Sequence, residues 1–406
     1  MKLRRRPRPR QTEISEHRRL IVMLAMSLGA FGIGTTEFVS MGLLRLIAED
    51  FLITEDTAGV IITSYALGVV VGAPLITALT GGLPRRRLLV LLMAAFTIGN
   101  GLSVLAVNYE TLVVARFIAG LPHGAYFSVA GLSAASMAPV AQRGRAVAFI
   151  GMGLSVATVI GVPAAQALGA ALGWPAAYGL VTLIGLITVT ALWFLMPHMT
   201  KMRPTNPRTE LGALKRSQVW LTLAMGTVGF GGMFAVYTYI AWTMTERAGL
   251  DPAWMWLVLM VYGIGSIGGT WFGGRLSDRN LEWGIFCSLV MIAVSLASFY
   301  FTSTHPVLGV LNFGLVGFFG SSLVPSLQIR LMDVAGDAQT LAAALNHSAL
   351  NLANASGAAI GGAVIAAGFG YSAPALAGMV LALAAIGVWV PTFLLRRRQL
   401  RNSAPS

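Results

Sequence analysis

Long apolar runs dominate this chain, and each has the length of one bilayer crossing. A helix rises about 1.5 Å per residue and the hydrocarbon core is about 30 Å thick, so roughly 20 apolar residues span it. Twelve such runs are read at 20–43, 57–80, 88–107, 110–136, 146–172, 175–197, 217–242, 252–274, 283–303, 306–331, 339–367 and 371–395. The connections between them are short and marked by Gly, Pro and a few charges. Only 11% of the residues are charged against 56% hydrophobic. A soluble chain of this length would need about a quarter of its residues charged to wet its surface, so this surface faces lipid.

Charge placement tests the count independently. With twelve alternating spans and a cytoplasmic N-terminus, Lys and Arg should gather in alternate loops. Of the 28 basic residues, all but Arg45, Arg116 and Arg247 fall on the side that carries both termini. They cluster at the N-terminal tail, Arg85–Arg87, Arg143 and Arg145, the segment 198–216, Arg275 and Arg279, Arg330, and the C-terminal tail. One span too many or too few would scramble this pattern. The expected topology is therefore a multi-pass cell-membrane protein with both termini inside. The net charge of +13 is what that topology and an anionic inner leaflet require, and no nucleic-acid partner is inferred from it. No signal peptide is expected, because the first run is too long, holds Glu37 and lacks a small-residue cleavage site. The lone Cys287 lies inside a span, so there is no disulfide framework.

The polar segment 198–216 divides the chain into two six-span halves, 20–197 and 217–395, flanked by basic tails at 1–19 and 396–406. The halves echo one another. Gly68 and Gly72 precede the Arg85–Arg87 loop, and Gly265 and Gly269 precede the loop from Gly274 to Arg279, 197 residues later. Paired six-span halves are a common transporter architecture, with the binding site between them near the midplane.

Ionisable groups at membrane depth cost roughly 2.5–3.5 kcal/mol each on insertion scales, so each is a functional candidate. Glu37 in the first span and Arg116 in the fourth are expected at similar depth, close enough to pair. Burial disfavours a carboxylate's charged form and a nearby guanidinium favours it, so making and breaking such a pair would switch proton affinity. The alternative is that both side chains snorkel to the interface as static anchors. His123 lies seven residues beyond Arg116 on the same helical face. It is read either as a proton relay or as a buried neutral histidine beside Pro122; His347 in the eleventh span is a weaker candidate. Asn351 and Asn354 share one face of that span and Asn346 points away, so the first two are the candidates for substrate contact, with helix packing the alternative. Tyr126 and Tyr237 are candidate cavity aromatics, whereas Trp242 is expected in the interfacial belt. Gly161 and Pro163 in the fifth span allow close helix approach and bending.

Several stretches resemble the major facilitator superfamily. They are GIGTTEFVSMGLL (32–44), SYALGVVVGAPL (64–75), ARFIAGLPHGAYF (115–127), GLSVATVIGVPAA (153–165), FGGRLSDR (272–279) and LNHSALNLANASGAAIGG (345–362). The likeness is to its twelve-span drug/proton antiporters, in the branch of arabinose-efflux-type permeases and chloramphenicol-resistance exporters. It implies an all-α membrane fold of two pseudo-symmetric six-helix bundles, working as a monomer by alternating access. It also implies coupling roles for Glu37 and Arg116, gating by the loop residues Arg275, Asp278 and Arg279, and control of leakage by the fifth-span pattern around Gly161 and Pro163. In the first-half copy of that loop, a glycine (Gly81 or Gly82) stands where the family has aspartate, and in the fourth span Ala119 replaces a customary Gln.

The function expected is proton-coupled efflux of a small neutral or lipophilic compound such as an amphenicol-like drug, with a sugar or metabolite exporter or uniporter as the alternative. Protons, substrate and bilayer are the expected partners, and no cofactor or metal is called for. No phosphate-binding G-x-x-x-x-G-K-[ST] loop, H-E-x-x-H motif or paired-carboxylate cluster is present, so ATP-driven transport and enzymatic chemistry have no support. A structural or sensory membrane protein is the non-transport alternative.

Overall fold

The computed structural model describes residues 15–80, 83–139, 143–197, 212–336 and 338–402. Twelve of its helices are long and apolar enough to cross a membrane: α1 (Glu16–Phe51), α2 (Glu55–Ile76), α3 (Arg85–Val104), α4 (Tyr109–Met137), α5 (Ala146–Leu172), α6 (Trp174–Leu195), α7 (Ser217–Thr238), α8 (Pro252–Ser277), α9 (Leu281–Thr302), α10 (Pro306–Ala335), α11 (Ala344–Phe369) and α12 (Ala373–Arg396). Most of the linker expected at 198–216, together with Gly81 and Gly82, lies outside the described residues.

Local sequence sets several helix starts. Asn108 caps α4 by accepting from the Thr111 amide, and Thr111 returns the bond in a capping box. Asn280 accepts from the amides of Glu282 and Trp283 and so starts α9 directly after α8. Helix α1 continues past its expected end at 43, because the polar residues there find partners. Arg45 binds Glu49 and Glu246, and Asp50 accepts from the Trp174 indole at 2.8 Å. Helix α10 similarly runs past its expected end at 331 to Ala335, and Arg330, counted among the cytoplasmic charges, is fully buried. Its guanidinium contacts Glu282 of α9, Gln218 of α7 and the Thr392 carbonyl of α12.

The glycine echo is a packing echo. A Cβ on Gly68 or Gly72 would strike the Phe117 or Leu121 carbonyl, and one on Gly265 or Gly269 would strike that of Gly314 or Phe318. The struck residues are again 197 apart, so α2 sits on α4 as α8 sits on α10. This is direct evidence of repeated architecture.

The two halves are joined unequally along their length. At the face opposite the described termini, one apolar core runs through both halves and includes Val39, Leu43 and Ile61 with Val236, Met244 and Leu259. Toward the termini face the cores separate. Val22, Met26 and Leu89 belong to a cluster confined to the first half, and Val219, Leu331 and Leu341 to one confined to the second. Polar contacts reinforce the joined face. Arg45 donates to Thr245 at 2.9 Å and Glu246 at 3.0 Å, and Tyr371 donates to Glu55 at 3.0 Å. Arg45 and Arg247 were the loop exceptions to the charge pattern. Both are partnered, Arg247 by Ser303 at 3.2 Å.

Candidate translocation site

Glu37 is buried on α1 at the seam between the halves. The Asn351 amide, on α11 of the other half, lies beside its carboxylate, and Arg116, Tyr65, Tyr237 and Tyr262 all lie within its electrostatic reach. The Asn351 amide also donates to the His347 carbonyl at 3.1 Å, which leaves its Oδ1 without a partner. Asn354, one turn further on, has its buried Oδ1 unpartnered too. Asn346 turns away to Gln328 on α10, as helical spacing requires.

Arg116 is fully buried but, among the described residues, makes no ion pair with Glu37. Its Nη1 donates to Thr36 Oγ1 at 2.8 Å and Asn100 Oδ1 at 3.4 Å, and Nη2 donates to the Thr36 carbonyl at 3.1 Å. The guanidinium lies over the Tyr65 ring at 4.5 Å and the Tyr178 ring at 5.0 Å, with Nε unpartnered. A buried arginine so held has its charge stabilised by oxygens and π-faces, not by a carboxylate. The residue beside Glu37 anchors it, and Glu37 is left free to face the opposite half.

His123 is 1% exposed and its Nδ1 lies 3.0 Å from the Tyr65 hydroxyl. Tyr65 thus touches both Arg116 and His123. The α4 turn at Leu121 and Pro122 between them keeps right-handed helical backbone angles, so the two side chains stay on one side of the helix. Tyr65, Asn100 and Tyr178 were missed in the sequence. Each is a polar group at membrane depth, which was the available signal, but only folding brings them to one arginine.

Tyr237 packs edge-on against Tyr262 with ring centres 4.5 Å apart, and near Phe38 of α1 at 5.7 Å and Phe313 at 5.6 Å. It therefore belongs to the aromatic seam beside Glu37. Tyr126 does not. It donates to the Met26 carbonyl at 2.8 Å inside the first half, in the packing of α1 on α4. Trp242 is also not in an interfacial belt. It is 5% exposed and packs in the core shared by both halves, 6.1 Å from Tyr239.

In α5, residues Ala157–Gly161 form a single π turn, a form that often marks functional sites. A Cβ on Gly161 would fall 2.2 Å from Thr35 Oγ1, and one on Gly263 of α8 would fall 2.3 Å from the Thr158 carbonyl inside the π turn. Pro163 is buried directly after it. Both α1 and α8 thus press against this segment of α5. Arg275 and Arg279 are exposed at the termini end of α8, with Arg275 stacked on Trp271. The side chain of Asp278 lies outside those described.

Two bundles closed over a buried acid at one face, with separate cores at the other, define a helical membrane transporter with its site between repeats. The family model of the Major Facilitator Superfamily matches residues 26–311, and the chain belongs to that superfamily of secondary transporters. It is 38% identical over 369 residues to the inner membrane transport protein YdhP of Escherichia coli K12, covering 91% of this chain and 95% of that one. It is 31% identical over 375 residues to the chloramphenicol resistance protein of Streptomyces lividans, covering 91% and 95%. Among solved structures it resembles a bacterial homologue of the lysosomal transporter Spinster in an inward-facing, unoccupied conformation. That match has a TM-score of 0.73 at 15% identity and covers 97% of this chain and all of that one. The fold is shared.

Proposed function

We propose that this chain is a proton-coupled exporter of a small neutral or lipophilic organic compound, of the amphenicol-like kind, in the inner membrane with both termini cytoplasmic. The observation that carries the reading is Glu37, a buried carboxyl on one half whose partner, Asn351, belongs to the other. Separating the halves removes that partner and changes the carboxyl's surroundings, which is the requirement for coupling a proton to alternating access. Arg116 holds the pocket's charge, and His123 extends it toward the termini face. Tyr237, Asn351 and Asn354 supply an aromatic wall and amide acceptors for cargo. Gly161 and Pro163 form the pivot of α5, and Arg275, Asp278 and Arg279 guard the cytoplasmic mouth.

The bundles 20–197 and 217–395 rock as rigid units within one monomer, joined by 198–216. Basic residues on the termini side support the orientation, and the names of the YdhP and chloramphenicol-resistance relatives support the location and cargo class. The continuous core at the opposite face and the separate cores at this side support an inward-facing reading of the present conformation.

Proteoliposomes with an acidic lumen, offered external amphenicols or pentoses, test this with wild type and Glu37→Gln. Gradient-driven uptake that disappears in the variant is the expected result. Uptake of a sugar, indifferent to the gradient and to the substitution, would establish a uniporter and make Glu37 an anchor.

A further inference from the structure

His347 was a weak candidate in the sequence, and the fold changes its standing. It lies on α11, four residues and so about 6 Å nearer the termini face than Asn351. Its ring centre is 5.4 Å from that of His123 on the opposite half, and it stacks on Phe127 at 4.6 Å with planes 15° apart. The helices meet closely here, since a Cβ on Gly124 would fall 3.5 Å from His347 Cβ. The two imidazoles differ in one respect. His123 is sealed, while His347 is half-buried and lies in the stretch where the halves have separate cores.

We propose that His347 is the proton entry residue of this transporter, passing protons between water on the termini side and Glu37 through His123 and Tyr65. The assignment rests on the antiport reading above. The path runs across the seam: His347 on α11, His123 on α4, Tyr65 on α2, then Glu37 on α1. A proton leaves water for a His347 ring nitrogen and hops, directly or through one water, to His123 Nε2. The Nδ1–H of that imidazolium passes to the Tyr65 oxygen as the tyrosine releases its own proton toward the Glu37 carboxylate. One N–H or O–H bond forms for each one broken, and no co-reactant is needed.

The groups facing His123 are Tyr65 from α2 and His347 from α11; Arg116 lies over the Tyr65 ring, and the charges of Glu37 and Arg116 both act on the Tyr65 hydroxyl. The pair is in contact in the present conformation, and closing the termini face would shut His347 off from water. Proton access then follows substrate access.

Two readouts test the assignment on the full chain. The first is ¹⁵N-histidine NMR titration in nanodiscs of wild type, His123→Asn, His347→Asn and Glu37→Gln. Removing either imidazole is expected to move the other's midpoint by about one pH unit or more, the signature of coupled sites. Independent titration of the two rings overturns the proposal.

The second compares pH-driven chloramphenicol uptake with chloramphenicol counterflow, which needs no net proton movement. His347→Asn is expected to lose driven uptake at least tenfold while counterflow stays within twofold. His347→Phe keeps the stack on Phe127 without a ring nitrogen, and it should behave the same way. Wild-type driven uptake in His347→Phe, or an equal fall in both activities in both variants, overturns the entry role. Driven uptake that survives Glu37→Gln sinks the antiport reading itself, whatever the histidines do.

Discussion

Replacing Gly263 by alanine should tilt the balance between the two access states. Gly263 of α8 faces the Thr158 carbonyl in the π turn of α5, so a new Cβ lands 2.3 Å from a backbone oxygen of the other half, where ordinary contact begins near 3.4 Å. Neither partner is a flexible side-chain end. The halves must part by about 1 Å or the backbone must bend, and overpacking of this sort costs about 1–3 kcal/mol. The cost falls on the state in which this seam is closed, so the ratio of states shifts by about 5- to 150-fold. Double electron–electron resonance would read it, with nitroxides at Val107 and Trp254, both exposed at the joined face, and Cys287 replaced by serine. The long-distance population should grow at least fivefold relative to the parent. A distribution unchanged within twofold, in a variant that purifies as folded protein, would refute the idea that this crossing sets the closed state.

Two other outcomes follow from ion pairs. Arg330→Met leaves Glu282, 16% exposed, with Arg396 as its one remaining basic partner among the described residues, so thermal stability in detergent should fall by an amount near the lower end of the roughly 3–5 kcal/mol for breaking a buried pair. The double variant Arg330→Met/Glu282→Gln should recover part of that loss, and no recovery would show that packing, not charge, dominates. Glu246→Gln removes a half-exposed partner of Arg45, worth about 0–1 kcal/mol. It should therefore move the resonance populations by at most about fivefold, less at high salt, and a larger or salt-independent effect would contradict a surface latch.

Span number, alternation and the repeat were legible in the chain because they depend on local quantities. Apolar run length, loop charge and the 197-residue glycine echo follow from bilayer thickness, lipid charge and close helix packing, which act on each segment separately. Glu37, Arg116, His123 and Asn351 also stood out, because polar groups at membrane depth are expensive wherever they occur. Which of them touch was not legible. Spacing suggested a Glu37–Arg116 pair, but Arg116 went to Thr36, Asn100 and two tyrosine faces. It also favoured Tyr126 as a cavity wall, while the fold gave that hydroxyl to Met26.

Helix ends shifted for the same reason. Arg45 and Arg330 continue their helices because partners from distant segments compensate them. The meeting of His123 with His347, 224 positions apart in the numbering, has no trace in either stretch of sequence. Length and hydropathy decide that a segment enters the membrane. Only the packing of one half against the other decides which buried polar group answers which, because each has several possible partners and tertiary geometry selects among them.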